Sequence, residues 1–208
     1  MSNLFLTSSF ADVAPLFPKF AGNPVGRSVA FIPTASLVEE YRGYVDDARN
    51  AFRTLGMAVE ELDIAAATLE HIARTLQQND YIYVSGGNTF YLLQEMRRKN
   101  ADRMLVDHIN QSKTYIGESA GTLVLSPDIA CYAPMDNPAA APELDGTKGL
   151  AAIPFYPLVH YRSEPFAEVC EQILAAQQDK LDMRPITNHE LFAVRNGTIE
   201  KWMVEQVV

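Results

Sequence analysis

The sequence predicts an α/β fold of three layers: a mostly parallel sheet, helices on both faces, and an antiparallel hairpin at the C-terminal end. Three observations lead there. Short apolar runs alternate with amphipathic ones as far as residue 125. Several apolar runs stop at glycine or other turn residues. Near the end, Asn196-Gly197 separates two further runs and is a strong two-residue hairpin signal.

The elements follow in order. "LFLTS" (Leu4–Ser8) and "SVAFIPT" (Ser28–Thr34) read as buried strands, short and closed by turn residues. "VEEYRGYVDDARNAFRTLG" (38–56) reads as a helix: Tyr41, Val45, Ala48 and Phe52 recur every three or four residues, and Gly56 stops it. "AVEELDI" is a strand, "ATLEHIARTLQQ" a helix, and "DYIYVSGG" a strand ending in two glycines. "FYLLQEMRRKN" and "ADRMLVDHINQ" read as helices and "KTYIGES" as the next strand. From Ala133 to Pro157, five prolines preclude a long helix or central strand, so an irregular loop is expected, suited to a lid. "LVHY" (158–161) is then a strand and "EPFAEVCEQILAAQQ" a helix. "LFAVRNG" and "TIEKWMVEQ" form the final antiparallel pair at the sheet edge.

The 208 residues are most simply a single domain, 1–208, with a real core. A net charge of -9 opposes nucleic acid or an anionic membrane as partner, because either would repel it. The opening "MSNLFLTSSF" lacks a basic segment and a sustained apolar run, so no signal peptide is expected, and no stretch is long enough to span a membrane. Cys131 and Cys170 stand far apart with no C-x-x-C or His/Cys cluster. They read as reduced thiols of a cytoplasmic protein that needs no metal or cofactor.

The chemistry centres on "YIGESAGTLVL" (115–125). G-x-S-x-G between a strand and a helix is the nucleophile-elbow pattern. The turn strains the serine backbone and brings neighbouring chain close; Gly117 and Gly121 remove the Cβ atoms that would clash. A serine merely capping a helix is the plain alternative for Ser119. The loop "YVSGGNTF" also ends a strand and opens a helix, with Asn88 or Thr89 as N-cap. In open α/β sheets ligands sit beyond the carboxyl ends of the strands, so the two glycine loops share one edge. There the N–H groups of Gly86, Gly87 and Ala120 can face an oxyanion. Of the four histidines, His71 and His108 fall within helices ahead of the elbow. His160, at another strand end, is the favoured base, with His189 as the spare.

G-E-S-A-G preceded by "GGNTF" resembles peptidase E, the aspartyl dipeptidases of a serine peptidase group that includes cyanophycinase-like enzymes. The resemblance runs from the first strand to about Asn196-Gly197. It implies a flavodoxin-like fold of the class I glutamine amidotransferase kind, with serine replacing the amidotransferase cysteine. It implies Ser119 as nucleophile, His160 in "LVHY" as base, and Gly87 and Ala120 as the oxyanion hole. Two positions depart from the family pattern. Its third triad member is an acid before the final hairpin, where this chain has Asn188, with Glu190 two residues on. Its substrate-binding arginine has no counterpart in "SEPFAEV", although Arg162 lies close by. Substrate contacts are accordingly expected from Gly86, Asn88 and Arg162.

The expected activity is a dipeptidase-like serine hydrolase acting on a small peptide or amino-acid-derived substrate, as a monomer or homodimer. The rivals are an α/β-hydrolase esterase with Ser119, Asp136 and His160 in that fold's chain order, and a non-catalytic binding module that keeps the elbow. The third triad member is therefore open between Asn188, Glu190 and Asp136.

Overall fold

The structure, a computed structural model, describes residues 2–204. Its main sheet has seven strands in the order β3-β2-β4-β5-β1-β8-β9. Five of them run parallel: β1 (Asn3–Thr7), β2 (Ser28–Ile32), β3 (Ala58–Glu61), β4 (Tyr81–Val84) and β5 (Thr114–Glu118). β8 (Glu190–Arg195) pairs antiparallel with β1, and β9 (Thr198–Met203) turns back on β8 through Asn196-Gly197 to form the edge. The expected last strand reached Gln206, but Glu205 and Gln206 lie outside the described residues. Two very short strands, β6 (Tyr156–Leu158) and β7 (Met183–Pro185), form a separate parallel pair.

Alternation along the central strands divides the core in two. Leu4, Leu6, Ala30, Ile32, Ile82, Val84 and Tyr115 face helices α4 (Leu69–Gln78), α5 (Thr89–Arg98) and α6 (Ala101–Asn110). Phe5, Val29, Phe31, Tyr81, Tyr83 and Ile116 face α1 (Phe10–Val13), α2 (Phe17–Ala21) and α3 (Gly43–Thr54). That second layer is largely aromatic: Phe52 stacks on Phe10 at 4.2 Å and meets Tyr83 edge-on at 5.1 Å.

Several elements differ from expectation. The helix expected from Val38 starts only at Gly43, and Tyr41 is exposed rather than part of its apolar stripe. Thr34–Val38 instead forms a 3-10 turn, and the Arg42 guanidinium donates to the Leu37 and Glu39 carbonyls, holding the stretch as a loop. The segment between β1 and β2 carries no periodic signal, yet it folds into α1 and α2, broken up by Pro15 and Pro18. The "LVHY" strand ends at Leu158 and lies outside the main sheet, because His160 adopts φ 57°, which no strand continues. α8 (Ala167–Gln177) packs Cys170 and Ile173 against Leu158.

Phe52→Ala should destabilise the protein by about 3–5 kcal/mol, the usual loss for emptying a fully buried phenylalanine site. Urea unfolding of the variant beside wild type measures it, and a loss under about 1 kcal/mol would mean this aromatic layer is not part of the stabilising core.

Candidate active site

The elbow is held by its neighbours. Ser119 sits at φ 47°, ψ -111°, directly before the four-residue helix α7 (Ala120–Leu123). A backbone of this kind costs on the order of 1–3 kcal/mol and persists only where the surroundings over-determine it. Here the Ser119 N–H donates to the Thr7 carbonyl at 3.0 Å and the Gly121 N–H to the Ser85 carbonyl at 3.2 Å. The Thr122 hydroxyl accepts from the Thr7 N–H at 3.1 Å and donates to the Thr7 carbonyl at 2.9 Å. Both elbow glycines are sterically required: a Cβ at Gly121 would lie 2.1 Å from the Val84 carbonyl oxygen, and one at Gly117 2.7 Å from that of Gly121.

The Gly-Gly loop lies against the elbow, as neighbouring β4 and β5 require. A Cβ at Gly86 would lie 3.2 Å from the Ser119 Cβ. Gly87 has φ 129° and packs so tightly that a Cβ there would meet the Ala35 carbonyl oxygen at 2.2 Å. Ala120 is the first residue of α7, so its N–H has no acceptor within the helix. Among the described residues no protein acceptor takes the N–H of Gly87 or Ala120.

His160 reaches Ser119 from a loop beyond β6. Its backbone N–H donates to the Ser8 hydroxyl at 3.0 Å, and that hydroxyl donates to the Ile186 carbonyl at 3.2 Å. Its ring stacks on Phe166 at 4.8 Å. Nε2 lies 3.0 Å from the Ser119 Oγ, and Nδ1 lies 2.7 Å from the Asn188 Oδ1. An amide oxygen only accepts, so Nδ1 carries the proton and Nε2 is left to accept from the serine hydroxyl. Ser119 makes no side-chain capping bond to α7, so the plain reading of a helix-capping serine does not hold. Burial is the main influence on the His160 ring and lowers its pKa, opposed by the bond to Asn188, so the ring is neutral at neutral pH.

Of the three candidates for the partner of His160, the structure brings only Asn188 into contact with it. Glu190 was expected to reach the same place along an extended segment. Instead residues 187–190 turn, with the Glu190 N–H donating to the Thr187 carbonyl. The Glu190 carboxylate accepts from the Thr187 N–H at 2.8 Å and pairs with Lys201 at 2.8 Å. Asp136 is 2.9 Å from the Thr89 N–H and also bonds the Thr89 hydroxyl, fastening the 133–157 loop to the start of α5. The Ser-Asp-His arrangement of an α/β-hydrolase is therefore not formed.

The remaining expectations sort as follows. Asn88 is the N-cap of α5, accepting from the Tyr91 N–H and donating to the Asn137 carbonyl. The loop expected as a lid is tied along α5, since Gln94 accepts from the Glu143 N–H and Arg97 donates to the Asp145, Gly146 and Lys148 carbonyls. Arg162 has an exposed side chain lying over Tyr161, with Glu171 at 4.0 Å. His189 is exposed in the turn beside Asn188. His71 lies on α4 with Arg74 as its partner, and His108 on α6. Residues that sequence reasoning passed over are Thr7, Thr122 and Ser8, whose only signal is position at or after the end of β1 and in α7.

An elbow serine bonded to a histidine, at the carboxyl edge of a parallel sheet, defines an α/β serine hydrolase site. The profile of Peptidase family S51 matches residues 2–202, and the chain belongs to that family; it is a serine peptidase. It is 49% identical over 199 residues to an uncharacterised peptidase of Listeria innocua, covering 96% of this chain and 95% of that protein. A Listeria monocytogenes EGD-e protein crystallised as a candidate peptidase E superposes with a TM-score of 0.95 at 45% identity, covering 99% of this chain and all of that one. Peptidase E of Salmonella arizonae is 35% identical over 103 residues, 50% of this chain and 43% of that protein.

Asn188→Ala should lower kcat on the order of a hundredfold, less than the ~10⁴ lost when a triad aspartate is neutralised, because an amide orients the ring without adding charge. Asn188→Asp should match or exceed wild type, and Glu190→Gln should stay near it. Steady-state kinetics on one dipeptide checks all three; a greater loss from Glu190→Gln than from Asn188→Ala would contradict the contact seen here.

Proposed function

We propose that the protein is a peptidase E-like dipeptidase that cleaves small peptides through an acyl-enzyme on Ser119. The observation that carries this is His160, bonded at once to the Ser119 hydroxyl and to Asn188. In this mechanism His160 Nε2 takes the Ser119 proton as Oγ attacks the scissile carbonyl carbon, and Asn188 holds the imidazole as it becomes cationic. The N–H groups of Gly87 and Ala120 stabilise the oxyanion. Collapse of the tetrahedral intermediate passes the proton from His160 to the leaving amine. Water, deprotonated by the same ring, then releases the acid.

The peptidase E names among the relatives support a dipeptide substrate. Strict aspartyl preference is not part of the proposal, since residues 163–169 contain no arginine and Arg162 is exposed beside Glu171. Cys131 and Cys170, both free thiols, favour a reducing compartment such as the cytoplasm.

Ser119→Ala should leave the protein folded and cut dipeptide hydrolysis by roughly four to six orders of magnitude. His160→Ala should be about as damaging and the double variant hardly worse, because the two act as a unit; additive losses would refute the pairing. A panel of Xaa-Xaa dipeptides assigns the side-chain preference. If only Asp-Xaa is cleaved, Arg162→Leu should raise KM steeply, and an unchanged KM would remove Arg162 from substrate binding.

A further inference from the structure

The dipeptidase mechanism leaves unused a carboxyl group placed one residue before the nucleophile. Glu118 ends β5, and its side chain enters the aromatic layer rather than the site edge, with only 3% of its surface exposed. Its carboxylate accepts a hydrogen bond from the Tyr83 hydroxyl of β4, and the Phe10 backbone that opens α1 favours its ionised form. Hydrogen bonds to an ionised acceptor are roughly twice as strong as neutral ones. Here the Tyr83 bond pulls the end of β5 against β4, immediately before the residue whose backbone is strained.

We infer that Glu118 is a positioning residue: its ionised carboxylate, held by Tyr83, fixes the end of β5 so that Ser119 stays in its strained conformation facing His160. This rests on the serine mechanism proposed above. Protonation turns one acceptor oxygen into a donor and weakens this hold, so activity carries a requirement for Glu118 ionisation besides that for neutral His160. Burial is the largest influence on this carboxyl and raises it to about 7, partly offset by the Tyr83 bond and the Phe10 backbone. The charged groups around it are Asp12 of α1 and Asp47 of α3, both of which push it up. The Tyr44 hydroxyl of α3 is buried, without a partner among the described residues, and senses the Glu118 charge. Arg49, tied to Asp46 and Glu61, also acts on Tyr83.

The test is the rate at which a fluorophosphonate labels Ser119 from about pH 5 to about pH 9, with thermal melts confirming folding. In wild type the rate should rise through about 7, where Glu118 ionises. Glu118→Gln, which offers one acceptor oxygen and a donor in place of two acceptors, should lose that limb. It should keep only the lower one of His160 and label roughly tenfold more slowly at its plateau. Tyr83→Phe removes a donor to the ionised form and should move the limb to higher pH. If Glu118→Gln does not fold, Tyr83→Phe decides alone. A limb that stays at the wild-type pH in the folded variants overturns the inference while leaving the serine mechanism standing. Failure of wild type to label at any pH overturns both.

Discussion

Two adjacent residues at the end of β1 hold the active site together. The Thr7 carbonyl accepts from the Ser119 N–H and from the Thr122 hydroxyl, which fixes the elbow. The Ser8 hydroxyl accepts the His160 N–H and donates to the Ile186 carbonyl, which fixes His160 and the start of the Asn188 turn. Ser119 and His160 lie 41 residues apart and come from different substructures. They meet because one central strand presents two consecutive polar groups, one to each. Thr7 and Ser8 are also almost wholly buried, so each bond lost there would leave a partner unsatisfied in a dry place.

The electrostatics of the site are consistent with an amide in the third position. Burial already keeps His160 neutral, the form that accepts a proton. A carboxylate at 188 would raise the ring's proton affinity; an amide orients the ring at little cost to its neutrality. Acid groups nearby are either engaged or held up by burial: Glu190 is paired with Lys201, and Asp136, pushed up to about 6, is bound to Thr89.

Much of this was legible in sequence, and the gaps have physical reasons. The central parallel strands and main helices follow from periodicity, because each buries one apolar face or two. The elbow and the Gly-Gly loop could be read because close backbone approach demands glycine, and that demand appears as a short local pattern. The partner of His160 could not be chosen by composition alone: Asn188 and Glu190 differ in direction only through a turn at residues 187–190 that carries no glycine or proline. The start of α3 was misplaced because Tyr41 fits the apolar spacing while its ring lies over Gly43, where a Cβ would meet it at 2.4 Å. Local spacing does not register such a contact. α1 and α2 went unread since pieces of four and five residues are too short to show a period.

The order of these elements along the chain has a consequence for biosynthesis. β1 is made before every other described strand, yet one of its two sheet neighbours is β8, residues 190–195. The elbow can form once residue 123 has emerged, but His160 and Asn188 follow much later, and the Ser8 bridge requires residue 186. A chain grown only that far on the ribosome therefore carries Ser119 without His160 beside it. The contacts of His160 with Ser119 and Asn188 can form only as β8 closes on β1, so they wait until the residues up to β8 have been made.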